Sequence, residues 1–179
     1  LAPELGLAAW GVTDAEPFVE TRIEIERRKE KELHGGMQFT FRNPERSTTP
    51  KMIMGDAKSL IVGALRTPSP RLEKVDTEAV RIAAYARKDY YSLLRNALAP
   101  IAEILKKDGW KAQVVADENS LVDRAAAIRA GIGWHGKNGN VLIPGQGSWF
   151  VLGSIVTNAE LPVSEKVQQD CGVCKRCID

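Results

Sequence analysis

Seven consecutive residues, Ser59-Leu60-Ile61-Val62-Gly63-Ala64-Leu65, carry no charge and nothing more disruptive than one glycine. The run is far too short for a membrane span, which needs roughly 20 apolar residues. It is also too uniformly apolar for a strand wetted on one side. It predicts a strand covered on both faces, and such a strand needs a sheet around it and helices above and below.

The flanking sequence supplies those parts. Leu5 to Val12 reads as a short strand, and Thr13-Asp14 and Glu16-Pro17 mark a helix start. A helix follows to about Leu33, dense in both charge signs, which fits a solvated face laced with i,i+4 pairs; His34-Gly35-Gly36 closes it. Asn43 to Pro50, polar and holding two prolines, reads as a loop. A long helical stretch is expected from Asp76 to Lys107, bent or split near Pro100, with Val80, Ala84, Tyr91, Leu94, Leu98, Ile101 and Leu105 as its apolar stripe. Lys111 to Ala116 and Trp149 to Thr157 are strand candidates, and Leu121 to Ala130 is a helix stopped by Gly131. The pattern predicts an α/β domain with a central sheet flanked by helices.

At 179 residues the chain has room for one ordinary domain, and 44% hydrophobic with 27% charged residues excludes a disordered or low-complexity class. The formal net charge of +2 neither requires nor excludes a nucleic-acid partner. No apolar stretch is long enough to cross a membrane and no secretory leader is visible, so a cytoplasmic location is expected, without a membrane partner. The chain opens on Leu1 and stops two residues after Cys177, which points to a piece of a longer protein.

The three cysteines, Cys171, Cys174 and Cys177, all fall in the last nine residues, unlike a disulfide framework. Their C-x2-C-x2-C spacing can wrap three corners of a cubane iron–sulfur cluster. Zinc with one further ligand, or unliganded thiols, are the alternatives. A second constellation runs from Asp117, at a strand end, through Asp123-Arg124 to the glycine-rich stretch Ala130 to Asn140. Its glycines and Lys137 suit either a ligand cradle or a structural turn. It is neither a dinucleotide fingerprint nor a P-loop. Asp117 reads as a site residue or as a helix cap. Tyr85, Arg87, Lys88, Asp89, Tyr90 and Tyr91 fit a half-buried amphipathic helix or a base-stacking edge. His34 and His135 have no sequence-near partner and receive no role.

Taken in order, Gly11-Val12-Thr13-Asp14, His34-Gly35-Gly36-Met37, Arg42-Asn43-Pro44-Glu45, Asp123-Arg124-Ala125, Ala130-Gly131-Ile132-Gly133-Trp134, Gly136-Lys137-Asn138, Gly147-Ser148-Trp149-Phe150 and Cys171-Gly172-Val173-Cys174 resemble the epoxyqueuosine reductases. These are cobalamin-dependent iron–sulfur enzymes of queuosine tRNA modification, similar to reductive dehalogenases. The resemblance implies a nitroreductase-like cobalamin-binding domain over residues 1–165 and the start of a ferredoxin-like domain over 166–179. It implies cobalamin and [4Fe-4S] clusters as cofactors, tRNA as substrate and an external electron donor. Asp117, in the family's D-x5-[ED]-R motif, would be the proton donor. Cobalamin contacts would fall on Ser47, Ala83, Asp117, Val141 and Leu152, and Cys171, Cys174 and Cys177 would ligate the first cluster. The sequence departs from the family pattern at Ser47, Ala84, Tyr91 and His135. Those departures keep two other readings open: a paralogous corrinoid iron–sulfur reductase with another substrate, and a non-catalytic electron-transfer or cofactor-binding module.

Overall fold

Strand β2 (Ser59–Arg66) is buried without a break from Ser59 to Ala64, as its sequence predicts. In the computed structural model, which describes residues 4–67 and 82–178, it lies inside a four-stranded sheet. Its neighbours are β1 (Ala9–Asp14) and, from the far end of the chain, β6 (Phe150–Thr157), while β3 (Ala112–Ala116) pairs with the other side of β6.

Alternation along β2 assigns its side chains to two layers. Leu60, Val62 and Ala64 pack with Phe18 and Ile25 around helix α1 (Val19–Glu30) and with Ala126, Ala127 and Ala130 at helix α4 (Asp123–Arg129). Ile61 joins Ile155 on the opposite face, under Leu94, Leu98 and Ala102 of helix α3 (Tyr90–Lys107). Gly63 and Gly153 stand opposite each other in the sheet, directly beneath that helix. A Cβ at either would lie 3.0 Å from a leucine methyl of α3, so the glycine pair is what lets the helix sit this low.

The central sheet flanked by helices is the expected one, but every pairing in it is antiparallel. Alternating strands and helices suggest crossovers between paired parallel strands; here β2 and β3 do run parallel and are joined through α3, but β6 returns between them, so the crossover is split and no two parallel strands pair directly. The segment read as a loop holds a short helix, α2 (Pro44–Thr48), followed by a 3-10 turn at Pro50–Met52. Asn43 accepts a hydrogen bond from the Arg46 amide and Pro44 takes the first helical position, so these residues start a helix where the reading had them break one. Of the long helix expected from Asp76, residues 76–81, Val80 among them, lie outside the described residues. The α-helix proper begins at Tyr90, where Asp89 caps the Ser92 amide, and Ala84–Ala86 form only a 3-10 turn. It then continues unsplit through Pro100, which sits on the exposed side, where the carbonyl it leaves free faces solvent. The first helix stops at Glu30, and Glu32 takes a left-handed backbone (φ 55°) ahead of Gly35. Along its exposed side Glu24 pairs with both Arg27 and Arg28.

Beyond α4 the glycine-rich stretch forms a small second sheet, β4 (Trp134–His135) against β5 (Val141–Leu142). After β6, residues 158–178 contain neither helix nor strand. They are tied back where Ser164 exchanges hydrogen bonds with Val12. Among the described residues no helix is long and apolar enough to cross a membrane.

Candidate active site

A cavity of about 1560 Å³ opens beside the α1/α4 layer, larger than the roughly 300–1,000 Å³ of an ordinary small-ligand pocket. Its lining combines apolar side chains, Val141, Ile143, Val151 and Leu152 among them, with the polar groups of Asp117, Asp123 and Arg124. Its size and mixed lining leave room for a ligand larger than an ordinary small metabolite.

Asp117 follows the last residue of β3 and has a left-handed backbone (φ 57°), uncommon outside glycine though tolerated by aspartate. Its loop is fastened on both sides. Arg95, from α3, donates to the Ala116 carbonyl at 2.7 Å, and the Ser47 hydroxyl donates to the Asn119 carbonyl at 2.7 Å. The Asp117 side chain itself is exposed to the open cavity.

The neighbouring carboxyl at Asp123, in the first turn of α4, meets different surroundings. Burial, reinforced by the negative charges of Asp117 and Glu118, pushes its pKa from 3.8 up to about 8, against the opposing pull of Arg124. At neutral pH it is a protonated acid on the cavity wall. Burial also raises the Tyr91 phenol, with Asp117 and Asp123 adding to the shift. Arg124 reaches across to the Gly139 carbonyl at 2.6 Å and closes that side of the cavity onto the glycine-rich stretch.

The structure brings Ala83, Asp117, Val141 and Leu152 to one cavity, although they are scattered through the sequence. Ser47 is not on its wall. It is 2% exposed, and its hydroxyl is spent on the Asn119 and Asn43 carbonyls, so it supports the Asp117 loop from behind. His135, given no role from sequence, lines the cavity, as do Tyr85 and Tyr91. Asp123 had been noticed only as part of a motif; its position after the buried pair Leu121-Val122 was the available signal for its burial.

Cys171 is half-buried, and Cys174 and Cys177 are exposed, all as free thiols on one loop. Three thiols at this spacing are donors suited to a cluster or to zinc. Their sulfurs are not drawn to one point: among the described residues no group of three or more His, Cys, Asp or Glu stands ready to hold a metal ion. The loop is nevertheless fastened to the cavity domain, since the Trp134 indole N–H donates to the Cys171 sulfur at 3.4 Å and Lys137 to the Gly172 and Cys174 carbonyls.

No protein-family model matches the chain. A curated protein of Lactococcus garvieae named epoxyqueuosine reductase is 33% identical over 185 residues, covering 100% of this chain and 52% of the relative. The solved epoxyqueuosine reductase of Streptococcus thermophilus superposes with a TM-score of 0.85 at 30% identity, over 99% of this chain and 49% of that one. An epoxyqueuosine reductase solved with an epoxyqueuosine-modified tRNA stem loop gives 0.83 at 29% identity, over 99% of this chain and 48% of that one. A reductive dehalogenase, described as acting by B12-dependent dehalogenation, shares the fold at a TM-score of 0.59 and 15% identity, over 93% of this chain and 19% of its own length. The chain spans about half the length of the curated relatives it matches.

Proposed function

From the homology of the whole chain to the epoxyqueuosine reductases, we propose that the protein reduces epoxyqueuosine to queuosine in tRNA, in the cytoplasm, and that this chain supplies the cobalamin-binding part. Residues 1–165 are read as that domain and 166–179 as the beginning of an iron–sulfur domain. The observation that carries the proposal is the cavity, which gathers Ala83, Asp117, Val141 and Leu152 on a wall wide enough for a corrin. The B12-dependent dehalogenase that shares the fold gives independent support.

The reaction takes two electrons and two protons: the epoxide oxygen leaves as water and a carbon–carbon double bond remains. Ala83, Asp117, Val141 and Leu152 would hold cobalamin, which would supply a low-valent cobalt as the source of the two electrons, and Cys171, Cys174 and Cys177 would hold in part the [4Fe-4S] clusters that feed it. The chain's own residues handle the proton and the solvent. Asp117 holds a carboxyl at the cavity rim on a loop that Arg95 and Ser47 keep in place, and delivers its proton to the departing oxygen. Val141 and Leu152 present apolar surface that excludes water from the reacting face. Burial keeps Asp123 in its uncharged, protonated form in the cavity wall at neutral pH. An external electron donor completes the cycle.

Anaerobic titration with cob(II)alamin tests the first half of this reading, with saturation near one equivalent expected from the absorbance and paramagnetic resonance of the cobalt. Asp117→Asn tests the second: cobalamin binding is expected to persist while the queuosine content of tRNA, in a deletion strain complemented with the variant, falls by at least about a hundredfold, the scale of a lost general acid. Unchanged queuosine would remove Asp117 from the mechanism. One observation favours the paralogue with a different substrate. Ser47 turns inward and offers no charge to the cavity. Absence of queuosine in the strain complemented with the unsubstituted protein would decide for it.

A further inference from the structure

Two contacts join the cysteine loop to the cavity wall, and both start from the same short stretch. Trp134 donates its indole N–H to the sulfur of Cys171, the one cysteine of the three that is half-buried. Three residues later the Lys137 ammonium donates to the carbonyls of Gly172 at 2.8 Å and Cys174 at 3.0 Å. Between them, His135 lines the cavity. The stretch owes its position to glycines: a Cβ at Gly133 would run into the Leu142 carbonyl, and one at Gly131 into the Glu165 carbonyl. The loop turns on itself through the Asp170 carboxylate, which accepts from the Gly172 amide at 2.6 Å, and through the Cys174 amide, which donates to the Cys171 carbonyl.

We infer that Trp134 is a positioning residue that sets the reduction potential of a cluster ligated by Cys171, with Lys137 as the clamp that keeps the loop within its reach. The inference rests on the cysteine ligation proposed above. The physical argument is short. Reduction adds one electron to a cluster whose thiolate sulfurs already carry negative charge, and no proton moves. An N–H donor aimed at one of those sulfurs and a cation along the same loop stabilise the more negative, reduced state, so both raise the potential. A sulfur in this position gains more from the donor than Cys174 or Cys177, which lie open to water. The same stretch that touches the sulfur also forms part of the cavity wall, so the electron acceptor and the cluster share one rigid support.

The test is a redox titration of the full-length protein with dithionite as reductant, read by paramagnetic resonance, comparing the parent with Trp134→Phe. Phenylalanine keeps an aromatic ring against the loop and removes the donor. The variant is expected to carry the same iron content and a lower potential, with the reduced-to-oxidised ratio at a fixed applied potential falling about tenfold, which for one electron is 59 mV. If Trp134→Phe loses the cluster, replacement by benzothienylalanine, which keeps the bicyclic shape and lacks the N–H, gives the same reading. An unshifted potential in a fully loaded variant overturns the inference while leaving the cysteine ligation standing. Absence of a cluster from the parent protein overturns both.

Discussion

The wall that holds Asp117 and the loop that holds the cysteines lie on the same domain but are secured in opposite ways. The first is backed by apolar packing: Leu60, Ile155 and Val156 are completely buried, and the Asp117 loop hangs from that core by bonds from Ser47 and Arg95. The second has no regular structure from residue 166 to 178 and keeps its place through a few polar contacts from Trp134, Lys137 and Asp170. One geometry is a property of the fold, and the other depends on contacts that a single substitution removes. Precision at Asp117 and latitude at the thiols are what the two proposed chemistries, proton donation and cluster ligation, would require.

The comparison is broken most severely at Gly131, where the two regions cross. Its φ of 72° and the Glu165 carbonyl beside it leave no room for a methyl. Gly131→Ala is expected to cost about 2–4 kcal/mol in urea unfolding and to speed proteolysis near Lys166. Parent-like stability would show that the cysteine-bearing segment is not anchored here. A smaller effect is expected at Ser47, whose loss removes the hydroxyl that bonds the Asn119 and Asn43 carbonyls. Ser47→Ala should lower stability by about 1–2 kcal/mol, roughly 2–4 °C in Tm per kcal/mol, without touching the cysteine loop. Equal protection of the 117–120 amides from hydrogen exchange in variant and parent would show that the loop needs no such strut.

The most selective effect belongs to Asp123. Its carboxyl titrates near 3.8 when unfolded and about 8 when folded, so between those values the folded state holds a proton that the unfolded chain has released. Stability from this group is therefore fully present below the lower value and is lost as pH rises toward the upper one. Asp123→Asn removes that slope. Thermal unfolding between pH 5 and 9 should show the variant gaining on the parent as pH rises, and a constant difference would mean that the carboxyl ionises normally.

What the amino-acid order disclosed follows the range of the interactions involved. Ser59 to Leu65 and Trp149 to Thr157 announce strands because uninterrupted apolar runs have few other uses, and the observed strands begin or end within one residue of them. Nothing local gives their direction or order, since a strand apolar on both faces pairs equally well either way. Pro44 and Pro50 misled because proline opens helices as readily as it interrupts them, and only the Asn43 cap decides. At the site, the end of β3 located Asp117, whereas the inward turn of Ser47 and the proton on Asp123 come from neighbours far along the chain. The cysteine spacing was visible at once. The indole that reaches Cys171 was not, because 37 residues separate the two.

The sheet order has one more consequence, in time. β6 is the last of the described strands in chain order, yet it occupies an inner position and supplies the partner for both β2 and β3. Within the four-stranded sheet, the first 149 residues can form only the β1–β2 pair, leaving one edge of β2 and the whole of β3 open. Such late, long-range closure makes for slow folding and a long interval in which open strand edges invite aggregation. The domain thus reaches its native form only after residue 157 has cleared the ribosome, and the cysteine segment follows it out by only 14 residues.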